Sequence, residues 1–372
     1  MHYPSTLTQI PRDLVSLSDY ERYAKRHLSG AIYDYISGGG ADEVTLKRNR
    51  KILDQYFIQP RVLQDVTKGT TATRLLGESF RHPILLAPVA FQKIAHPDGE
   101  LATAAAASLL EAGMVVSTLA SESIENIAQT LKSPKWFQLY FQQSKAFTLE
   151  LIKRAEAAGY TALIVTVDAP LHGIRNRAQR AGFQLPKGIE AVNLRDRPPL
   201  PEAILDPNES IVFQGMMTEA PTWNEIEWLI KNTQLPIILK GVLHPADALR
   251  AKDMGVSGIV VSNHGGRVLD CVPTAIEMLP VIRSHAGDDF LLLMDGAIER
   301  GTDVFKAIAL GADAVMVGRP QIYALAVAGS LGVAHMLRII REELEVTMAL
   351  AGTSNVSDIR QAILWQGGFQ RL

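Results

Sequence analysis

The residues with the clearest chemical potential lie at 262–270, where the sequence reads Ser-Asn-His-Gly-Gly-Arg-Val-Leu-Asp. His264 titrates near neutral pH and can accept a proton. Arg267 can hold a carboxylate through two parallel hydrogen bonds, and the two glycines between them allow a close approach to a ligand. A base beside a carboxylate clamp suits a substrate with an acid group and a proton to lose at the next carbon. The alternative is a capped loop with an ordinary surface histidine and arginine.

Two further polar residues follow other short apolar runs of the chain. Asp168 comes directly after one run and is a candidate to hydrogen-bond His264 and raise its basicity. Lys240 ends another run and would place positive charge near a ring that becomes anionic on reduction. The alternative for Lys240 is a Schiff-base or structural lysine.

Glycine and charged residues follow the last two apolar runs, as Asp295-Gly296 and Gly318-Arg319. Glycine-rich loops at these places form the phosphate site of many barrels, with backbone N–H groups and an arginine as donors. A phosphorylated cofactor is therefore expected. No set of histidines and carboxylates has metal-ligand spacing, so no metal is expected. A Gly-x-Gly-x-x-Gly segment after an early strand is also missing, which argues against a nicotinamide cofactor.

Eight short apolar runs must position these residues. Such runs are typical of parallel strands buried on both faces, and helical stretches separate them. The pattern predicts an α/β fold, a (β/α)8 TIM barrel, with an open doubly wound sheet as the alternative. The runs are 84–87, 115–118, 136–140, 163–167, 237–240, 259–262, 291–294 and 314–317.

Helix boundaries are predicted from glycines and capping residues. A helix over 99–112 is expected to end at Gly113, and those over 145–158 and 245–254 at Gly159 and Gly255. In the N-terminal part, Ser18-Asp19-Tyr20-Glu21 predicts a capping box for a helix reaching about Leu28. A second helix carries Tyr33-Asp34-Tyr35 and stops at Gly38-Gly39-Gly40.

The chain is predicted to be one domain over 1–372. Residues 1–80 form an N-terminal helical cap, 81–330 the barrel, and 331–372 a C-terminal helix and tail. A proline-rich insertion at 173–222 follows the fourth strand, on the face where substrate loops lie.

Composition excludes several function classes. The 372 residues carry a net charge of −2, so the broad positive field of a nucleic-acid-binding protein is missing. The single cysteine, Cys271, cannot form an internal disulfide and suggests a reducing compartment. No run of about 18 apolar residues predicts a membrane span, and no signal peptide is evident. A cytoplasmic enzyme without a membrane or nucleic-acid partner is expected.

Several ordered motifs together resemble the family of FMN-dependent 2-hydroxy acid oxidases and dehydrogenases, to which glycolate oxidase and L-lactate oxidase belong. The resemblance runs from about residue 17 to 351. Its blocks are S-N-H-G-G-R-x-L-D at 262–270, D-G-x-x-x-R-G-T-D-V-F-K-A at 295–307, Y-D-Y near 33, A-P-x-A-x-Q-K-x-A-H-P at 87–97, W-F-Q-L-Y at 136–140, T-V-D-A-P at 166–170 and L-K-G-V at 239–242.

The resemblance implies a barrel that holds FMN at the strand mouth and oxidises a hydroxy acid. His264 then matches the catalytic base, Asp168 its partner and Tyr140 the tyrosine near the substrate hydroxyl. The positions that match the substrate carboxylate site are Tyr35, Arg175 and Arg267. Those that match flavin contacts are Pro88, Val89, Ala90, Ser117, Gln138, Thr166, Lys240 and Ser262, with Asp295, Gly296, Gly318 and Arg319 at the ribityl and phosphate end. The resemblance also implies a homotetramer.

Three positions depart from the family pattern. Leu119 stands where glycolate oxidases have tryptophan, which leaves room for lactate or a longer hydroxy acid. Ala297 stands where glycine or serine is usual. Glu299 stands where an arginine helps to hold the phosphate, and a carboxylate beside a phosphate dianion disfavours binding. We therefore expect weaker FMN retention than is usual for the family.

The sequence favours oxidation of an L-2-hydroxy acid, with L-lactate first, by O2 to give the 2-oxo acid and hydrogen peroxide. One alternative is a dehydrogenase of the same family that passes electrons to a quinone or a protein. A second is a flavin-poor, catalytically impaired barrel, for which only Glu299 argues. A third is a phosphate-binding barrel isomerase without flavin.

Overall fold

The eight apolar runs form eight parallel strands that close into a barrel, in the spatial order β10-β11-β4-β5-β6-β7-β8-β9. This computed structural model describes residues 6–198, 205–206, 208–362 and 364–366. The strands are β1 (Tyr56–Ile58), β2 (Thr73–Leu75), β3 (Glu78–Phe80), β4 (Ile84–Leu86), β5 (Gly113–Ser117), β6 (Lys135–Leu139), β7 (Leu163–Thr166), β8 (Ile237–Val242), β9 (Gly258–Val261), β10 (Leu291–Asp295), β11 (Ala314–Val317) and β12 (Leu364–Gln366). The predicted TIM barrel is confirmed, and its closure excludes the open sheet.

The helices surround the barrel and cover its outer face. They are α1 (Leu17–His27), α2 (Gly30–Ser37), α3 (Val44–Leu53), α4 (Gly99–Leu109), α5 (Ile124–Thr130), α6 (Lys145–Ala157), α7 (Asn176–Arg180), α8 (Trp223–Asn232), α9 (Pro245–Asp253), α10 (Ala275–Ala286), α11 (Gly301–Ala309), α12 (Arg319–Ala351) and α13 (Val356–Ile359). Because helices cover one face and side-chain layers fill the other, the residues of the eight barrel strands are almost all buried.

The interior of the barrel is closed at its lower end by the β2–β3 hairpin. Leu75 and Phe80 of the hairpin join the cluster of side chains that point into the barrel, among them Leu85 and Ile238. Phe80 meets Trp136 edge to face, with ring centroids 5.6 Å apart. The barrel is therefore a filled core, and only its upper mouth is open to ligands.

The cap of α1, α2 and α3 precedes the barrel, and the second helix ends before Gly38 as predicted. The predicted capping box at Ser18 is wrong, because Ser16 caps α1 and the reciprocal carboxylate is Asp19. Asp19 accepts hydrogen bonds from the Ser16 backbone N–H and hydroxyl at 2.9 and 2.8 Å. The box thus lies two residues earlier in the chain than the sequence suggested.

The predicted end of the fourth helix at Gly113 is also wrong. The helix ends at Leu109, and the turn that follows it uses Glu111, with φ 54°, as its left-handed residue. Gly113 begins β5 instead, where a Cβ would lie 2.7 Å from the Phe80 ring. The helix ends at Gly159 and Gly255 follow the prediction, since both glycines have positive φ.

Helix α12 is the one described helix that is long and apolar enough, by length and composition, to cross a membrane. Most of its apolar window, 72%, is buried inside the protein. Non-helical backbone at Ala328 and Gly329 breaks it into two segments. The helix therefore packs as a core element against α1, α4 and α11.

The insertion predicted at 173–222 is described except for residues 199–204 and 207. Three of its prolines, Pro199, Pro201 and Pro207, therefore lie outside the described residues. Its described part contains α7 and side chains that reach the barrel mouth, including Arg197, Met216 and Glu219. The end of the predicted C-terminal segment, at 363 and 367–372, also lies outside the described residues.

Candidate active site at the barrel mouth

A cavity of about 700 Å³ opens at the carboxyl ends of the barrel strands. The cap, the strand ends and the insertion all contribute to its walls. Of the predicted site residues, the following line it: Tyr35, Pro88, Val89, Ala90, Ser117, Leu119, Gln138, Tyr140, Thr166, Arg175, Lys240, His264, Arg267, Asp295, Gly296, Ala297, Glu299, Gly318 and Arg319. The remaining two, Asp168 and Ser262, lie behind this layer and contact residues that belong to it.

His264 and Asp168 form the hydrogen-bonded pair that the sequence suggested. The distance between His264 Nδ1 and Asp168 Oδ1 is 3.0 Å, so the Nδ1–H donates and Nε2 is left as the basic nitrogen. Burial lowers the pKa of His264, and Asp168 offsets part of that effect. Burial alone would raise the pKa of Asp168, but the facing imidazole lowers it. The resting pair is thus a carboxylate and a neutral imidazole.

The position of Asp168 depends on a glycine in the neighbouring strand. Gly241 has φ +105°, and a Cβ there would lie 2.3 Å from the Asp168 carboxyl carbon. The pairing of β8 with β9 shifts between Lys240 and Val242, at this same residue. The glycine therefore gives the carboxylate the space it needs to face His264.

Lys240, Ser262 and Asp295 form a buried polar cluster across β8, β9 and β10. Lys240 Nζ lies 2.9 Å from Asp295 Oδ2 and 3.2 Å from Ser262 Oγ, which in turn donates to Asp295 Oδ1. Burial alone would lower the pKa of Lys240, but Asp295 and Asp168 outweigh it and raise the value. The lysine therefore keeps its charge at the centre of the cavity floor.

A second polar chain crosses the opposite wall. Ser117 Oγ lies 3.1 Å from Gln138 Oε1, and Gln138 Nε2 donates to Thr166 Oγ1 at 3.0 Å. These three side chains come from β5, β6 and β7 and are all buried. Since each also lines the cavity, they can exchange hydrogen bonds with a polar ring edge.

Arg267 and Arg319 both donate to carbonyl oxygens at the C-terminal end of α2. Arg267 reaches Ile36 O and Gly38 O at 2.8 Å each, and Arg319 reaches the same two oxygens at 3.2 and 3.0 Å. Positive charge at a helix C-terminus is favourable because the exposed carbonyls are electronegative. The cap therefore orients both guanidinium groups, including that of Arg319, which the family resemblance places at the phosphate end.

Tyr35 is enclosed by flat groups on several sides. Its ring stacks on Phe183 of the insertion with centroids 4.0 Å apart. The guanidinium carbons of Arg175 and Arg267 lie 5.7 and 5.4 Å from its ring centre. Arg175 Nε is buried without a hydrogen-bond partner in the described structure, which indicates a polar group still to be bound there.

Among the described residues, Arg175, Arg267 and Arg319 have no carboxylate within salt-bridge distance, although other arginines of the protein do. Burial and repulsion from Arg319 and Arg175 lower the pKa of Arg267 to about 9. Three cations held together in this way create a strong preference for anions. The geometry thus supports the predicted carboxylate site.

Tyr140 comes directly after β6 and lines the same cavity. Burial raises the pKa of its phenol, and the charged groups that face it are Lys240, Asp168 and Arg175. Its hydroxyl therefore stays protonated at neutral pH and can donate to a substrate oxygen.

Three amide side chains that support the site were missed by the sequence reasoning. Asn49 and Asn263 exchange hydrogen bonds of 3.0 and 2.7 Å and join α3 to the loop that carries His264. Gln321 donates at 2.9 Å to Ala87 O and so holds the segment predicted to face the flavin. Asn263 stands inside the S-N-H-G-G-R motif, but its partner is 214 residues away, and no local pattern reveals such a contact.

The cavity suits FMN along most of its length. Cation, amide and hydroxyl donors line the inner part, Gly296 and Gly318 leave the backbone accessible, and Arg319 stands nearby. Two residues fit less well. Ala297 has φ 57°, a conformation that glycine adopts more readily, and Glu299 adds a carboxylate. Within the described ranges, no three histidine, cysteine or acidic residues are grouped to hold a metal ion.

Comparison with known proteins agrees with this geometry. Residues 24–366 match the family model described as FMN-dependent dehydrogenase. L-lactate oxidase of Alicycliphilus denitrificans is 46% identical over 94% of this chain and 96% of the relative. Glycolate oxidase 1 of Oryza sativa subsp. indica is 40% identical over 95% and 96%. The crystal structure of mandelate oxidase with 3,3-difluoro-2-hydroxy-3-phenylpropionic acid superposes with a TM-score of 0.87, at 41% identity, over 95% of this chain and all of the other.

Replacement of Ala297 by glycine is expected to stabilise the protein. Alanine in a left-handed conformation costs about 1 to 2 kcal/mol, and the greater freedom of unfolded glycine returns about 0.5 to 1 of that. Thermal or denaturant unfolding should therefore show a gain of up to about 1 kcal/mol for Ala297→Gly. The control, Ala105→Gly on the exposed face of α4, should show a loss of about 0.5 to 1 kcal/mol. Equal losses at both positions would contradict strain at Ala297.

Proposed function

The chain belongs to the FMN-dependent dehydrogenase family, whose related members oxidise 2-hydroxy acids, and from this premise we propose that its substrate is L-lactate and its electron acceptor O2. The enzyme is an FMN-dependent 2-hydroxy acid oxidase by family. The observation that carries the choice of substrate is Leu119, which lines the cavity. Glycolate oxidases resemble one another in having the larger tryptophan at this position. The products are pyruvate and hydrogen peroxide.

The proton chemistry falls to His264. Its Nδ1–H is engaged by Asp168, so Nε2 receives the proton that leaves the substrate. Asp168 stabilises the imidazolium that results, because an ionised carboxylate favours its charged form. The strength of this pair increases with its burial, where few waters compete for the hydrogen bond.

The carboxylate of the substrate binds at the guanidinium groups of Arg175 and Arg267, with the Tyr35 hydroxyl as a further donor. Tyr140 directs its hydroxyl toward the substrate oxygen, and Lys240 is among the charged groups that face it. Together they fix the substrate at both ends, so that the carbon to be oxidised stands beside His264.

FMN, when bound, supplies the acceptor for the two electrons that leave the substrate. The residues that would hold its ring are Ser117, Gln138, Thr166 and Lys240. The charge of Lys240 stabilises negative charge near that ring. Overall the hydroxy acid loses two electrons and two protons, and O2 takes up both pairs to become hydrogen peroxide.

A cytoplasmic location and a homotetrameric assembly stay predictions of the sequence and its family resemblance. The quinone- or protein-linked alternative differs from the oxidase only in the acceptor, so the test below separates the two.

The first test is the visible spectrum of the purified protein under anaerobic conditions. Addition of L-lactate should bleach the flavin bands, and readmission of air should restore them with release of peroxide. Bands that bleach but recover only with a dye or quinone would replace the oxidase by the dehydrogenase. Bands that persist with L-lactate and bleach with another L-2-hydroxy acid would overturn the substrate choice.

Substitution of Leu119 by tryptophan should narrow the substrate range. The added ring removes space beside the substrate side chain. A difference of one methylene in the fit to a hydrophobic pocket changes kcat/KM by about 10- to 200-fold. The ratio of kcat/KM for L-mandelate to that for glycolate should therefore fall by at least about 10-fold. The control is Leu109→Trp, at an exposed position on α4, which should leave the ratio unchanged. An unchanged ratio in Leu119→Trp would show that this side chain does not set the size limit.

The variant Asp168→Asn tests the base. Without the carboxylate, the largest offset to the effects of burial and Lys240 is lost, so the pKa of His264 falls further. The acidic limb of the kcat/KM profile should move to lower pH, because His264 must be neutral to accept a proton. The plateau should fall by about 10- to 100-fold as the imidazole loses its orientation. Asp253→Asn, on the exposed end of α9, is the matched control. An unmoved acidic limb in Asp168→Asn would assign that limb to another group.

A further inference from the structure

Glu299 is the one cavity-lining carboxylate that stands where the family resemblance calls for a cation. It follows β10 in the loop that also contains Gly296 and Ala297, and it is half-buried. Its backbone N–H donates to Asp303 Oδ2 at 3.1 Å, which fixes the start of the side chain. Within the described ranges, its carboxylate has no hydrogen-bond or salt-bridge partner.

Charged and phenolic groups from four helices face this carboxylate. They are Glu21 of α1, Arg50 of α3, Asp303 of α11, and Arg319 and Tyr323 of α12.

Both cations of this group already have other partners. Arg50 donates to both oxygens of Asp303, at 2.7 and 2.8 Å, and to Asp54 at 2.8 Å. Arg319 donates to backbone carbonyls, among them Gly265 O at 3.0 Å. Neither cation contacts the Glu299 carboxylate, and an incoming anion meets this carboxylate together with Glu21, which also lines the cavity.

An ionised Glu299 and a phosphate dianion would repel each other strongly in this partly dehydrated space. A protonated Glu299 carries no charge and can donate its O–H to a phosphate oxygen. Burial raises the pKa of Glu299 and so favours its protonated form. The same side chain thus opposes or assists phosphate according to its protonation state.

We propose that Glu299 couples the binding of FMN to the uptake of one proton, so that the protein loads its cofactor more readily as pH falls. The coupling depends on the phosphate alone. Riboflavin has the same ring and ribityl chain without the phosphate, so its binding does not depend on the protonation of Glu299. The proposal rests on the FMN family assignment and not on the choice of substrate or acceptor.

The test measures binding in the absence of substrate. The full chain is freed of flavin, and the Kd for FMN and for riboflavin is measured by flavin fluorescence between pH 5 and pH 8.5. The variants are Glu299→Gln, a neutral side chain of the same shape, and Glu299→Arg. Glu299→Gln reports the titration of the phosphate itself, whose second pKa lies near 6.

The ratio of the FMN Kd in wild type to that in Glu299→Gln should begin to rise once Glu299 is ionised in the free protein, by up to about 10-fold per pH unit. It should level off only where Glu299 is ionised in the FMN complex as well. For riboflavin the ratio should stay constant with pH. Glu299→Arg should bind FMN more tightly than wild type, most of all at high pH. Calorimetry in two buffers of different ionisation enthalpy should count more protons taken up by wild type than by Glu299→Gln.

A pH-independent ratio for FMN, or an equal trend for riboflavin, would overturn the proposal. Glu21→Gln provides a second check, because loss of the pH trend in that variant alone would assign the coupling to Glu21 instead. None of these outcomes depends on lactate turnover, so a wrong substrate assignment would leave the binding result intact.

Discussion

The contact between Asp168 and His264 is the interaction on which the site depends, since it decides which imidazole nitrogen is basic and where it points. Three separate parts of the chain make it possible. Strand β7 brings the carboxylate, the loop after β9 brings the histidine, and Gly241 between them leaves the space that a Cβ would fill. His264 itself has φ 56°, a left-handed conformation that few residues adopt, and the Ser262 hydroxyl accepts its backbone N–H at 3.0 Å. The base is thus held by backbone geometry as much as by its side-chain partner.

Around this pair, the distribution of charge separates two kinds of buried ion. Lys240 forms an ion pair with Asp295 in the cavity floor. In the described part of the chain, Arg267 and Arg319 donate to neutral carbonyl oxygens, chiefly those that end α2, and no carboxylate pairs with Arg175. Such acceptors orient a guanidinium but leave its charge in place, so the positive potential remains available to ligands. Because no carboxylate of the described residues pairs with these arginines, the cavity favours anionic ligands before any ligand binds.

The barrel and most of its mouth could be predicted from sequence, because buried parallel strands leave short apolar runs and their ends converge. The pairing of Asp168 with His264 followed from the same logic. Contacts between distant segments could not be predicted, as Asn49 with Asn263 shows. The capping box failed for a different reason: Ser16 and Ser18 are both suitable caps for one helix, and only the position of Asp19 in three dimensions distinguishes them. Likewise Gly113 resembled a helix stop, whereas the close packing of Phe80 requires it in β5.

Strand β1 of the cap pairs with β12, with Tyr56 opposite Gln366 and Ile58 opposite Leu364. During synthesis on the ribosome, the second strand of this pair emerges roughly 300 residues after the first, which at usual elongation rates is on the order of tens of seconds. All eight barrel strands leave the ribosome within that interval. The β1–β12 pair therefore cannot form until all eight barrel strands have been synthesised, and until then the edge of β1 lacks its partner strand.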